Sequence, residues 1–382
     1  MFVTYSIDCF VIKSDSGKKM AKHAEKNDSI FFSIIAPAYK DAFLKEGIES
    51  VLAQSYDNYE IILVDDGSKD NTASICDGFA EKNKKIQVFH KENSGVLNTR
   101  LFALTKASGD WVVFIDDDDR MKPDELSILA DKIREYKSAD CIIFGFDTLS
   151  EDNGTWSSHK VSESVVEKDV YSEDKDFICS TVFTGATYMC IWRKAVRRTS
   201  LGIGISPPEQ FERFRNFGDD TFQTVEILRH CNNFLFIPDS LYEYRVGNYR
   251  RLTGAVKFPE NKISFFRELY VIDYLKTEKQ FTELSFDRYR SFLRQSLFTS
   301  LVEVATSLKS LKQKLEWYNQ YRENDNFYDS FLASTYGNYY FEKYKIKALH
   351  LLEKRHYLRL LFYCILRKII SIVKREPLDV IS

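Results

Sequence analysis

Four consecutive aspartates, Asp116 to Asp119, stand directly behind the unbroken apolar run Trp111–Ile115 (WVVFI). An apolar run of that length, without polar alternation, suits a strand buried on both faces. The acidic block then lies just past the strand's carboxyl end. The same arrangement recurs upstream. Phe31–Ala36 (FFSIIA) leads into Pro37-Ala38-Tyr39, and the run Glu60–Val64 leads into Asp65-Asp66-Gly67-Ser68. Helical spacing separates these runs: Phe43, Leu44, Ile48, Val51 and Leu52 first, then Ile75, Cys76 and Phe79 behind a cap at Asp70 or Asn71. A strand at Ile86–Phe89, a helix at Val96–Ala107, a helix opened by Pro123 and a strand at Cys141–Phe146 continue the alternation. This order predicts an α/β fold, a mostly parallel sheet with helices on both faces. Ligands of such sheets bind beyond the carboxyl ends of the strands, so the three polar clusters are expected along one edge.

Outside this block the pattern changes. Residues 1–12 can form a short strand, and Lys13–Ser29 is polar and Lys-rich, the composition of a linker arm. From about 150 to 254 the apolar stretches are short, with a Gly/Pro-rich loop at Gly202–Pro208 and an acidic turn at Gly218-Asp219-Asp220. From about 257 to 376 the spacing is helical and rich in Leu, Phe and Tyr.

Several chemistries are excluded or left open by the residues present. There is no H-x-x-H or H-E-x-x-H pair, no G-x-x-x-x-G-K-[ST] phosphate loop and no G-x-S-x-G nucleophile elbow. A formal net charge of −2 gives no case for nucleic-acid binding. The seven cysteines form no C-x-x-C pair and sit mostly in apolar runs, as buried thiols in a reducing compartment do. The N-terminus has no signal-peptide pattern, and the apolar run Leu360–Leu366 is far short of a membrane span. A cytoplasmic protein, soluble or peripheral, is expected. Lys343–Glu376 carries ten Lys or Arg against two Glu, with Leu351, Leu352, Leu358, Leu361, Phe362, Ile365, Ile369 and Ile372 at helical spacing. Such a helix either lies on an anionic membrane or packs on the domain with a solvated basic face.

Each acidic cluster also has two readings. Asp116–Asp119 is either a solvated loop or a site whose mutual repulsion a hard divalent cation relieves; Mg²⁺ or Mn²⁺ takes one or two carboxylates plus phosphate oxygens. Asp65-Asp66 is either a turn or an acceptor for a nucleobase or ribose. Asp219 and Asp220, preceding Phe222, Val225, Ile227 and Leu228, are either carboxylates favoured by a helix dipole or a base for an acceptor hydroxyl.

Taken together, SIIAPAYKDAFLKEGIESVLAQSYDNYEIILVDDGSKDNTASICDGFA, HKENSGVLNTRLFAL and ASGDWVVFIDDDDRMKPDEL closely resemble the family 2 glycosyltransferases, which have the GT-A fold. Order and spacing agree over about 90 residues, from Phe32 to about Pro123, and weaker similarity continues through TYMCIWRKAV and GDDTF to IPDSLYEYR. The resemblance implies a catalytic domain at 30–254, with a nucleotide-sugar half at 30–122 and an acceptor half at 123–254, between an arm at 1–29 and a helical region at 255–382. It implies that Pro37, Ala38 and Tyr39 frame the nucleobase and that Asp65 bonds base or ribose with Asp66 beside it. Asn93, Gly95 and Arg100 would run beside the nucleotide. Asp116 and Asp118 match the D-x-D motif, Asp118 as direct ligand of Mn²⁺ or Mg²⁺ and Asp116 at ribose or a metal-bound water, with Asp117 between them. Asp220 matches the general base, and Asp219 stands at the preceding Glu position. The implied partners are a nucleotide-diphosphate sugar, in the first place a UDP-sugar, and a saccharide or lipid-linked saccharide acceptor of surface polysaccharide, with no nucleic acid. Leu101 departs from the family's usual Asn, and an inactive sugar-nucleotide or membrane-binding relative is the alternative.

Overall fold

The computed structural model describes residues 29–39, 42–152, 155–160, 166–184, 187–204 and 219–246, and then 301–302, 304–306, 310–322, 347–348, 350–352 and 354–374. All of the expected arm at 1–29 except Ser29, most of the loop at 202–208 and large parts of the helical region lie outside the described residues.

The first half alternates as the periodicity requires. In chain order it holds β1 (Phe32–Ala38), α1 (Leu44–Leu52), β2 (Tyr59–Asp65), α2 (Thr72–Ala80), β3 (Ile86–His90), α3 (Val96–Leu104) and β4 (Trp111–Phe114). Then follow β5 (Arg120–Met121), α4 (Glu125–Glu135), β6 (Cys141–Asp152), β7 (Thr155–Lys160), β8 (Val170–Ser172) and α5 (Lys175–Thr184). The series closes with β9 (Lys194–Arg197), α6 (Asp219–His230), β10 (Phe234–Arg245), α7 (Leu311–Arg322) and α8 (Tyr357–Lys374). At α2 the residue preceding the helix is Asn71, without a side-chain cap bond; Asp70 Oδ1 accepts the Thr72 amide instead, at 3.1 Å.

The sheet runs β3-β2-β1-β4-β9-β6-β10-β5, with β7 added on β6 and β8 on β10. β3, β2, β1 and β4 are mutually parallel, and β10 pairs parallel with β6. β9 lies antiparallel between β4 and β6, and β5 antiparallel on β10. The mostly parallel sheet is therefore as expected, and apart from the two-residue β5 its antiparallel members, β7, β8 and β9, come from the stretch whose sequence is least regular.

Alternation along the strands sorts the core into two layers. Ile34, Ile61, Leu63, Val113 and Phe144 face α1 and α4, whereas Ile35, Ile62, Val64, Phe114 and Ile143 face α3, α5 and α6. Burial on both faces is what continuous apolar strands demand. Leu301, Val304, Tyr318, Leu352, Leu360 and Cys364 join the second layer, so the C-terminal helices pack into the core along one side. Among the described residues Cys76, Cys141, Cys179, Cys190, Cys231 and Cys364 are free thiols, and no helix is long and apolar enough to cross a membrane.

Candidate active site

The parallel neighbours β2, β1 and β4 bring the three polar strand ends together. Ala38 is in register with Asp65, the Asp66 amide donates to the Ala38 carbonyl at 2.9 Å, and the Tyr39 amide donates to Asp117 Oδ2 at 3.0 Å. Pro37 and Ala38 are buried, while the Tyr39 ring is exposed. Helix α1 closes against the acidic loop at Gly47, where a Cβ would stand 3.2 Å from the Asp119 carbonyl oxygen; a larger residue would push the loop away.

The four aspartates are not equivalent. Asp119 is fully buried and accepts from the Tyr242 hydroxyl at 3.1 Å and the Arg245 amide at 2.8 Å. The Tyr242 oxygen in turn accepts the Asp116 amide at 3.1 Å, so β10 ties the first and fourth aspartates together. Arg245 Nε donates to the Asp118 carbonyl at 2.7 Å and Nη2 pairs with Glu46 at 2.8 Å. Its guanidinium lies against both the Phe43 and Trp156 rings, 4.0 and 4.2 Å from their centroids, and the two rings meet edge to face. Trp192 stacks on Tyr242 at 4.7 Å. The loop is thus held from behind by a buried network, in which each bond is strengthened by exclusion of water.

Arg100 on α3 is the hub of the site. Its side chain is 3% exposed, and it bonds Asp116 Oδ1 at 2.5 Å through Nη2 and Asp219 and Asp220 at 2.7 and 3.0 Å through Nη1. Gln223 Oε1 accepts from the same Nη1 at 3.3 Å. Burial works against the guanidinium charge, but the three aspartates outweigh it and raise its pKa above the ordinary value. The acidic turn 119 and 120 residues downstream of Arg100 is thereby joined to the strand-end cluster. Asp220 is pushed up to about 7, first by removal from water and then by Asp219, with Arg100 pulling the other way. Lys194, fully buried on β9 and lowered to about 8 by burial, donates to the Tyr188 and Cys190 carbonyls at 2.6 Å each and fixes that turn. Thr224 of α6 bonds the Met189 carbonyl there at 2.8 Å, which seats the helix carrying Asp219 and Asp220.

On the other flank, Asp65 Oδ1 accepts the Ser68 amide at 3.0 Å across the turn at Gly67. Gly67 has φ +69°, and a Cβ there would meet the Asn93 nitrogen at 2.8 Å, so both the turn and the approach of the next loop need glycine. Asp66 stands beside Asp65, but its carboxylate is already engaged: Ser94 and Gly95 amides donate to it at 2.9 Å each and Lys91 Nζ at 2.6 Å. It closes the N-terminus of α3, whose unpaired amides favour an anion. Asn93 Nδ2 bonds the Asp66 carbonyl at 2.9 Å. Asp66, Asn93 and Gly95 therefore form one loop-building unit next to Asp65.

Among the described residues no three His, Cys, Asp or Glu side chains form a metal cage. Asp116 and Asp118, the pair that the D-x-D resemblance points to, would offer carboxylate oxygen only. One or two such ligands suit Mg²⁺ or Mn²⁺ when phosphate oxygens and water complete the octahedron, and do not suit a soft metal.

Comparison with known proteins agrees with this geometry. Residues 33–200 match the model of Glycosyl transferase family 2. Residues 33–200 form a family 2 glycosyltransferase domain. It is 27% identical to the glycosyltransferase GlyG of Streptococcus pneumoniae over 79% of this chain and 94% of GlyG. It is also 27% identical to GlyA of the same species, over 56% of this chain but only 30% of GlyA. A solved fragment of S. aureus TarS, residues 1–349 in complex with UDP-GlcNAc, superposes with a TM-score of 0.66 at 18% identity, covering 87% of this chain and 90% of the fragment. The same fragment with UDP gives a TM-score of 0.64. The GT-A fold is shared with these structures.

The glycosyltransferase domain also uses residues that motif matching passed over. Tyr242 and Arg245 lie in the matched IPDSLYEYR stretch and Trp192 and Lys194 in TYMCIWRKAV, so the signal was present, but nothing local says that they brace an aspartate loop.

Proposed function

We propose that this glycosyltransferase is inverting and moves a sugar from a UDP-sugar to a hydroxyl of a saccharide or lipid-linked saccharide acceptor in the synthesis of a cell-surface polysaccharide. The observation that carries this reading is the Arg100 bridge, which sets Asp220 against the D-x-D aspartate Asp116. A base that must take a proton from a sugar hydroxyl and hold it serves best with a pKa near the working pH, and Asp220 stands at about 7. Asp220 removes the proton as the hydroxyl oxygen attacks the anomeric carbon from the face opposite the leaving diphosphate; a single displacement inverts configuration and needs no covalent sugar intermediate. Asp219 keeps Asp220 basic by repulsion, and Arg100 holds both acids in place. Asp65 accepts from the nucleobase or ribose beneath the Pro37–Tyr39 loop, and Asp116 turns to the ribose. Asp118, with Asp116, would hold Mg²⁺ or Mn²⁺, which supplies Lewis-acid stabilisation of the diphosphate charge. The test is Asp220→Asn, which should abolish transfer while leaving donor affinity intact; unchanged transfer would overturn the base assignment.

The domain is further proposed to work in the cytoplasm on the inner face of the cell membrane, through α8. That helix buries Leu360 and Cys364 but leaves Leu358, Phe362 and Leu366 at 62, 70 and 41% exposure, four residues apart on one face. From Lys354 to Lys374 the sequence has six Lys or Arg and no acidic residue. An apolar strip among basic residues suits an anionic bilayer surface. Phe362→Glu should remove co-flotation with anionic vesicles; retention would refute this placement.

A further inference from the structure

His90 closes β3 directly beside Asp65 in the parallel register of β2 and β3. Its ring lies between two carboxylates, Nδ1 at 3.2 Å from Asp65 Oδ2 and Nε2 at 3.0 Å from Asp77 Oδ1 on α2. A carboxylate only accepts, and a neutral imidazole has one N–H to give. Both contacts are hydrogen bonds at once only when the ring is an imidazolium. Asp77 first, then Asp65, raise the His90 pKa above its ordinary value. The other groups at this spot do not oppose that charge. Cys76 is pushed up to about 12, by burial first and then by the charges of Asp65 and Asp77, and stays a neutral thiol, and Lys91 turns away to Asp66. The His90 side chain is 43% exposed, so its proton exchanges with solvent, whereas Asp65 is 5% exposed. With Ser68 on one oxygen and His90 on the other, the Asp65 carboxylate is locked in one orientation at the end of β2.

We propose that His90, as an imidazolium bridging Asp65 and Asp77, is a positioning residue that fixes Asp65 as the acceptor for the imino N–H of the donor's nucleobase. The inference rests on the reading that Asp65 meets the base. Uracil offers N3–H to such an acceptor. Cytosine offers a lone pair on N3, which a fixed carboxylate repels. When His90 loses its proton, the neutral ring can serve only one of its two carboxylates, Asp65 is freed to turn, and the preference for uracil falls. Nucleotide recognition thus depends on a proton held outside the catalytic cluster.

The test is the affinity of the full chain for UDP and CDP, by calorimetry with Mg²⁺ fixed, from about pH 6 to about pH 8.5, below the titration of uracil itself. The UDP-to-CDP ratio cancels the titration of the phosphates. In the unmodified chain the ratio should fall about tenfold as pH rises, the factor equivalent to about 1.4 kcal/mol, or one charge-assisted hydrogen bond. His90→Gln should hold the low ratio at every pH with CDP affinity unchanged, and Asp77→Asn should move the fall to lower pH. A His90→Gln protein that keeps the original ratio and pH profile, or that loses UDP and CDP equally, overturns the proposal. Asp65→Asn separates the two failures: if it leaves UDP affinity intact, the base-site reading itself is wrong, and if it weakens UDP while His90→Gln does not, only the role of His90 is.

Discussion

Replacing Arg100 by methionine removes a cation that touches Asp116, Asp219 and Asp220 together. The guanidinium is 3% exposed, and the three carboxylates are 28, 18 and 31% exposed. Breaking a buried pair by removing one partner costs about 3–5 kcal/mol, and partial solvent access to the acids puts this case at the lower end, about 3 kcal/mol. At about 2–4 °C per kcal/mol for a domain of this size, the melting temperature should drop by about 6–12 °C near pH 8. The loss should shrink on acidification. Arg100 pulls the Asp220 pKa down against burial and Asp219, so without it Asp220 rises further above about 7. A carboxyl raised in the folded state favours folding while protonated, and that contribution is lost as pH rises through the folded pKa. The variant therefore sheds stability more steeply than the parent through and above pH 7, and the gap is smallest near pH 5.5. Thermal melts of both proteins at the two pH values measure it, with Arg100→Lys, which keeps the charge but not the two-armed fork, expected in between. Equal melting at pH 8, or a larger gap at pH 5.5, would refute the idea that Arg100 neutralises this cluster.

Three further outcomes follow from the same geometry. The log of kcat/KM should rise with pH at unit slope and level off near pH 7, reporting Asp220 in the free enzyme, and Asp219→Asn should shift that limb to lower pH by removing a repelling charge. Tyr242→Phe deletes the hydroxyl shared by Asp116 and fully buried Asp119, and should cost about 1–3 kcal/mol in urea unfolding. Gly47→Ala puts a methyl 3.2 Å from the Asp119 carbonyl and should raise the half-saturating Mn²⁺ concentration several-fold in metal titrations, with little change in KM for acceptor.

Much of this architecture was legible because it is local. Continuous apolar runs marked β1, β2 and β4, helical spacing marked α1 to α3, and parallel connection then forces Ala38, Asp65 and Asp116 to one edge. What was not legible depends on distant partners. Nothing near Asp119 says that it is structural; its donors, Tyr242 and the Arg245 amide, are 123 and 126 residues away. Asp66 looks like a twin of Asp65, yet the amides of Ser94 and Gly95, almost 30 residues on, consume it. The region from about 150 to 254 reads as irregular because its strands enter the sheet singly. β9 is four residues long and antiparallel, with neither the length nor the repeat that periodicity needs, although it fills the centre of the sheet. Asp219 and Asp220 carry the same sequence signal whether they only begin a helix or also face Arg100, and the contact itself separates the two cases.

The most direct test of the central claim is release of nucleoside diphosphate from a panel of nucleotide sugars, with and without Mn²⁺ or Mg²⁺. Metal-dependent turnover of a UDP-sugar, enhanced by a saccharide acceptor and lost in Asp118→Ala, is the predicted result. Full turnover in Asp118→Ala, or no thermal stabilisation of the chain by any nucleotide sugar with metal present, would contradict it.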